Sequence, residues 1–232
     1  MNKIKKFLHN FLLSILRIDS IRKYYSYIRY LSMRENMKIL DEYSKSVGKD
    51  TISHNISALK NVAAFGMGNR MGLLLYPLAM LVREIENPKV LIVGPRTEDD
   101  LFWAKSLGMT NVHGLDLFSY SPMIDVGDIH NTSYANNEFD AVLLGWMISY
   151  CGDPKVIVAE CKRILKPGGF LGFGIESNPA QRITGQFSPP RANSLNSASC
   201  IADIVKSQIV FVHDPMLDSS TDNAVIFKLK NT

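Results

Sequence analysis

One ten-residue stretch, Lys89 to Glu98 (KVLIVGPRTE), constrains the fold more than any other. Val90 to Val93 are four consecutive apolar residues, three of them β-branched, and they run into Gly94-Pro95. A short apolar run stopped by a turn pair reads as a parallel strand buried on both faces. Helix-like sequence follows from Asp99 to Leu107, with Thr97 as its expected N-cap. Strand, glycine turn and helix together place a ligand at a helix N-terminus. Asp116 stands 22 positions after Gly94, at the end of a second strand in NVHGLDL. An acid at that distance suits a bidentate hold on two ribose hydroxyls. A nicotinamide site is the rival reading of the turn. It needs G-x-G-x-x-G, and only the first glycine is present here.

Further segments follow in order: VGDIH (Val126 to His130), NEFDAVLLGWMISYCGDP (Asn137 to Pro154) and ECKRILKPGGFLGFG (Glu160 to Gly174). Each alone is a weak signal, but the ordered set is specific. With VLIVG and GLDL it resembles the class I S-adenosylmethionine-dependent methyltransferases of the type 11 kind, over about a third of the chain. The resemblance implies S-adenosylmethionine as cofactor. It implies contacts from the turn Gly94, Pro95, Arg96, Thr97 and Glu98, from Asp116 with Leu117, from Asp128 with Ile129, and from Gly145 with Trp146. In that frame Asp128 bonds the adenine amine, and Trp146 stacks on adenine or walls the pocket. Asp128 as a plain turn residue and Trp146 as plain core are the blander readings.

The chain departs from the family pattern D-x-G-x-G-x-G at the turn. Ile92 stands at the acid, Gly94 is kept, and Arg96 and Glu98 replace the later glycines. Arg and Glu cannot bring backbone as close to a ligand as glycine does. Either Arg96 takes the methionine carboxylate and Glu98 lies near its ammonium, or that end is not held. Many small-molecule methyltransferases carry a His pair after the fourth strand. Ser149-Tyr150 stand there instead, which leaves Tyr150, His130 or Asp153 as the base. Asp153 and Glu176 are too scattered to form a metal site, so no metal is expected.

Residues 1–34 carry eight Lys and Arg against Asp19 alone, a net of +7; the whole chain is +4, so the remainder is −3. That remainder has no general affinity for nucleic acid. Cys151, Cys161 and Cys200 lack C-x-x-C spacing and read as free thiols of a reducing, cytoplasmic compartment. Ile4, Phe7, Leu8, Phe11, Leu12, Ile15 and Leu16 form an apolar helical stripe. It is too short and too charged to span a membrane. It reads either as a membrane-surface helix over residues 1–20, or as a helix packed on the domain or on a second subunit in a homodimer. Tyr24, Tyr25, Tyr27 and Tyr30 suit a helix interface. Gly66-Met67-Gly68-Asn69-Arg70 reads as a turn before the buried helix Leu73 to Ile85, with an anion cradle as the sharper alternative.

Residues 1–88 are therefore expected to be a helical appendage and 89–232 a methyltransferase-like domain. The expected third strand is short, Met123 to Val126, and the unit after Asp116 has no room for a full helix. Residues 177–196 read as a loop over the pocket, followed by a helix from Ser197 and two strands, Ile209 to Val212 and Ala224 to Leu229. The fold class is α/β: a three-layer, Rossmann-like sandwich with a mostly parallel seven-stranded sheet and added N-terminal helices. The function read from it is methyl transfer to a small polar acceptor, a hydroxyl of a sugar or glycan intermediate. The alternative is a non-catalytic binding or scaffold protein on the same fold.

Overall fold

The computed structural model describes residues 8, 11–41, 49–65, 70–176, 195–214 and 222–231. The expected pocket loop at 177–194, the hairpin connection at 215–221 and the glycines of 66–69 lie outside them.

The chain opens with a helical stretch at residues 11–15 (α1), then α2 (Asp19–Met33), the two-residue strand β1 (Lys38–Ile39), α3 (Lys49–Phe65) and α4 (Gly72–Leu81). The core follows as β2 (Lys89–Val93), α5 (Asp99–Ser106), β3 (Asn111–Asp116), β4 (Phe118–Ser119), β5 (Ile124–Val126), β6 (Phe139–Leu144), α6 (Pro154–Ile164) and β7 (Leu165–Glu176). It ends with α7 (Ala198–Val205), β8 (Gln208–His213) and β9 (Asp222–Lys228). Within the described residues the expected elements from α2 onward are present, with ends shifted by a few residues; Ile4 and Phe7 of the expected N-terminal stripe lie outside them.

Seven strands form one sheet in the order β5-β3-β2-β6-β7-β9-β8. The first five run parallel, and β9 is antiparallel to both β7 and β8. Strand order reverses between β2 and β6, which opens a crevice at their carboxyl ends. Side-chain alternation along β2 divides the core. Val90 and Ile92 face α4 and α5, where Leu74, Leu75, Leu78, Leu101 and Trp103 pack. Leu91 and Val93 face α6 and α7, with Ile157, Cys161, Ile201 and Val205. The result is the expected three-layer sandwich. The turn Lys166 to Gly169 loops out of the β6–β7 ladder, where pairing jumps from Phe139↔Leu165 to Ala141↔Phe170.

A third apolar cluster joins the N-terminal helices to the loop after β3: Tyr30, Ile52, Leu59 and Ala63 pack with Phe118 and Tyr120. β1 pairs antiparallel with β4, and the Leu40 amide donates to the Leu117 carbonyl at 2.8 Å. Arg22, only 1% exposed, donates from Nε to Asp99 at 2.9 Å and lies 4.3 Å from the Trp103 ring centroid. So α2 is bonded to the first turn of α5. Of the four tyrosines expected at an interface, Tyr30 is buried and Tyr24 is 66% exposed.

Gly174 of β7 shows how closely the layers approach. A Cβ there would lie 2.4 Å from the Trp146 ring. Gly174→Ala must displace that ring, an overpacking that costs roughly 1–3 kcal/mol. Urea unfolding should show a lower midpoint with an unchanged slope; a midpoint equal to wild type would contradict this packing.

Candidate active site

The crevice is built from strand tips. After β2 the chain turns at Gly94 (φ +75°), whose amide donates to the Leu115 carbonyl at 2.8 Å. Arg96 follows in the left-handed conformation (φ +55°), which side chains seldom adopt. Arg96 thus keeps the backbone shape of the glycine it replaces and adds a guanidinium. Its amide donates to Oδ2 of Asp116 at 3.0 Å, and the Leu117 amide donates to Oδ1 at 2.8 Å. Turn and second strand tip are locked together through this one carboxylate.

The Arg96 guanidinium is buried and lies within electrostatic reach of Asp116, Arg70, Tyr150 and Glu176. Tyr150 donates its phenol to Oε2 of Glu176 at 2.6 Å. Arg70 donates to Oε1 of the same carboxylate at 3.1 Å, and its guanidinium sits 4.9 Å from the centroid of the Trp146 ring. The sequence reading placed Arg70 only in the anion-cradle alternative and Glu176 only in a metal pair judged too scattered, and assigned neither to the cofactor crevice. Glu176 carried a usable signal: like Asp116, it is an acid at the tip of a parallel strand. Arg70 had a weaker one, a cation in the turn before a buried helix.

Asp128 and His130 form a second pair. Oδ1 of Asp128 accepts from the His130 amide at 2.9 Å and lies 2.6 Å from Nδ1 of the ring. Ile129 between them is buried in the core. A carboxylate thereby fixes the orientation of the imidazole.

Four expectations are corrected. Glu98 does not reach toward the crevice for an ammonium group: it is fully buried, and its carboxylate takes both Arg29 of α2 and the Ser121 hydroxyl. Thr97 is not the N-cap residue, which is Glu98 without a side-chain cap; Thr97 is buried one position earlier, and its hydroxyl accepts from the Asp99 amide at 3.5 Å. Trp146 does not lie open for a base to stack on. It is 5% exposed, seated over Gly174 and beneath Arg70. Its φ of +55° repeats the strain seen at Arg96, again at the crevice. Asp153 is not a base, because its carboxylate caps α6 by accepting from Lys155 and Val156 amides at 3.1 and 3.4 Å.

Burial shifts two acids upward. The Asp116 carboxyl is pushed up to about 6 by burial, against the pull of Arg96 and of backbone amides. Asp100, in the first turn of α5, is pushed up to about 7 by burial and by Asp99, with Arg70 pulling the other way. Burial also pushes the Arg96 guanidinium down, while Asp116 pulls it back up. Cys151 and Cys161 are buried core thiols shifted upward by burial, which leaves them unreactive. Among the described residues no group of three or more His, Cys, Asp or Glu could hold a metal ion.

The donor set fits S-adenosylmethionine. The Asp116 carboxylate takes the Arg96, Leu117 and Phe118 amides and, with about four lone-pair sites, keeps acceptor capacity toward a ribose hydroxyl. Arg96 and Arg70 match a carboxylate, and Asp128 matches an amine. Backbone room remains at Gly94 and Gly145, where an added Cβ would meet nothing closer than 3.6 Å.

Comparison with known proteins agrees with this geometry. Residues 95–173 match the family model described as a methyltransferase domain. The match runs from the turn after β2 into β7. No curated protein is similar to the chain in sequence. Among solved structures, a chain of the complex containing the Haloferax volcanii Trm112 methyltransferase activator superposes with a TM-score of 0.57 at 15% identity, covering 78% of this chain and 97% of that one. The N-methyltransferase NodS from Bradyrhizobium japonicum WM9, in complex with S-adenosyl-L-homocysteine, gives 0.52 at 15% identity, covering 78% and 99%. A SAM-dependent methyltransferase from Aquifex aeolicus gives 0.51 at 14% identity, covering 75% and 97%. At these identities the likeness is one of fold.

The raised acids set a pH dependence. Between about pH 4 and 7 the native state binds more protons than the unfolded chain at Asp116 and Asp100, so their contribution to stability falls as pH rises through that window. Asp100→Asn removes one of these charges. Its urea midpoint should exceed wild type at pH 8, and the gap should close by pH 5. A gap that does not change with pH would show that Asp100 carries no such shift.

Proposed function

We propose that this chain, whose residues 95–173 match the methyltransferase-domain family model, is a class I S-adenosylmethionine-dependent methyltransferase and transfers the cofactor's methyl group to a hydroxyl of a small polar acceptor in this crevice. When bound, the cofactor supplies an electrophilic methyl on a sulfonium. The chain's own residues bind, orient and take a proton. Asp116 accepts from the ribose hydroxyls, Asp128 from the adenine amine, and Arg96 donates to the methionine carboxylate. The observation that carries this reading is Asp116 at the tip of β3, bonded to the Arg96 and Leu117 amides, with the Arg96 guanidinium within electrostatic reach of it and of the Tyr150–Glu176 pair.

Displacement at a methyl depends mostly on holding nucleophile and leaving group in line in a dry site. A base matters where the acceptor loses a proton as it attacks. Tyr150, paired with Glu176, is the group placed to bond an acceptor hydroxyl. His130, oriented by Asp128, is the other proton acceptor at the crevice. A hydroxyl of a sugar or glycan intermediate is the acceptor class we assign. Support for it comes from the hydrogen-bonding character of these side chains and from the apolar N-terminus, which suits a lipid-linked form.

That N-terminus carries exposed Phe11, Leu12, Ile18, Ile21, Ile28 and Leu31, which favours a peripheral contact with a membrane surface or with a second copy. Among the described residues no helix is long and apolar enough to cross a membrane. Phe11→Ser with Leu12→Ser should leave the protein in the supernatant when the unaltered chain sediments with anionic vesicles. If the unaltered chain also stays in the supernatant, the membrane contact is wrong and the ribbon is a packing surface.

Titration calorimetry tests the cofactor assignment. The unaltered chain should bind S-adenosylmethionine in the micromolar range, and Asp116→Ala should weaken it at least tenfold. No binding at millimolar cofactor would favour a binding protein that has kept the fold and lost the reaction.

A further inference from the structure

Helix α2 is built inside out. The residues it buries against the domain are Arg22, Ser26 and Tyr30, and the side it turns outward is apolar. Ile21, Tyr24, Ile28 and Leu31 recur at spacings of three, four and three, so they form one stripe along the helix. They are between 38% and 66% exposed, with exposed Ser20 and Ser32 at the two ends. The charged residues of α2 all have partners within the chain. Arg22 meets Asp19 and Asp99, Lys23 meets Asp19, and Arg29 meets Glu98. A contiguous apolar stripe of this kind marks an interaction surface.

The charges decide what covers it. A helix that lies on an anionic bilayer keeps Lys and Arg free beside its apolar side, where they meet headgroups. The cations of α2 are instead held in ion pairs, which leaves a neutral stripe. Charge is depleted in the same way from the core of a protein interface. The stripe is also its own complement. Tyr24 and Ile28 stand two positions either side of Ser26, Ile21 and Leu31 five, and Ser20 and Ser32 six. Two copies of α2 laid antiparallel about a two-fold axis level with Ser26 set Tyr24 of each against Ile28 of the other, and Ile21 of each against Leu31 of the other. Every pair then occurs twice, as an isologous contact requires.

We propose that α2 is the contact surface of a homodimer, formed by antiparallel pairing of this stripe with that of a second copy. With Ile18, the stripe exposes on the order of 500 Å² per copy, so a pair reaches the roughly 1,000 Å² total of a specific interface. The proposal assigns the α2 part of the exposed N-terminal ribbon; Phe11 and Leu12 are not in it, and it does not depend on the cofactor or the acceptor. Arg22 and Arg29 grip the start of α5 from the inner side of the same helix, so the pair buttresses the turn after β2 in both copies.

Sedimentation velocity on the intact chain without lipid, over about 1 to 200 µM, tests this, because assembly follows protomer concentration. The unaltered chain should pass from monomer to dimer across that range. Ile28→Lys brings two like charges beside the two-fold axis and should weaken association at least tenfold. Its circular dichroism and the melting of the dilute monomer should not change, since the residue is exposed. Ile21→Lys and Leu31→Glu should each weaken association. The double variant should associate more tightly than either single one, because antiparallel pairing sets its opposite charges against each other. A monomer at every concentration overturns the proposal, and co-sedimentation of that monomer with anionic vesicles, lost in Ile28→Lys, would make lipid the occupant. A dimer that Ile28→Lys does not weaken overturns it too, and a double variant no tighter than the single ones overturns the antiparallel pairing.

Discussion

Two ion pairs hold the N-terminal helices to the turn on which the crevice is built. Arg22 of α2 meets Asp99, and Arg29, about two turns further along the same face, meets Glu98. Both acids belong to the start of α5, directly after the turn that follows β2. Such pairs are poor sources of net stability, because desolvating two charges offsets much of their attraction. Breaking one is a different matter, since it leaves a buried charge unpaired. Their effect is to fix position. Glu98 also takes the Ser121 hydroxyl, so a single carboxylate joins α2, the β2 turn and the loop after β3. The β1–β4 pairing adds a backbone tie at the same place.

This arrangement accounts for the altered turn. In the family pattern, glycines let backbone approach the ligand. Here the second glycine position keeps the left-handed backbone but carries an arginine that projects among the strand tips. The third carries a glutamate that faces the opposite way, into the N-terminal helices. The two replacements therefore do different things. One puts charge into the crevice, and the other holds the loops that frame it. Among the described N-terminal elements, α2 is bonded to α5, and α4 fills one face of the sheet.

Much of the sheet was readable in advance. Runs such as VLIV and AVLL can only be strands buried on both sides, because every residue is apolar or small and each run ends at a turn. Asp116 was readable because an acid ending the second strand has a place and a chemistry. The side chains that replaced the glycines were harder. Nothing local distinguishes a glutamate that will meet a ligand from one that will meet Arg29, 69 positions earlier in the chain. Asp153 looked like a base and is an N-cap, and Trp146 looked like a stacking surface and is core. In each case a local role was open to the residue, and packing chose between the options.

The residue order alone determined the layers, the strand sequence and the edge at which a nucleoside would lie. Those follow from apolar periodicity and turn chemistry, which act over a few residues. Only the tertiary structure decided which charges meet. Arg70, Arg96, Tyr150 and Glu176 come from four separate segments and converge because the sheet brings its strand tips to one edge. Pairing at that range depends on where whole elements pack, and no window of sequence contains that information.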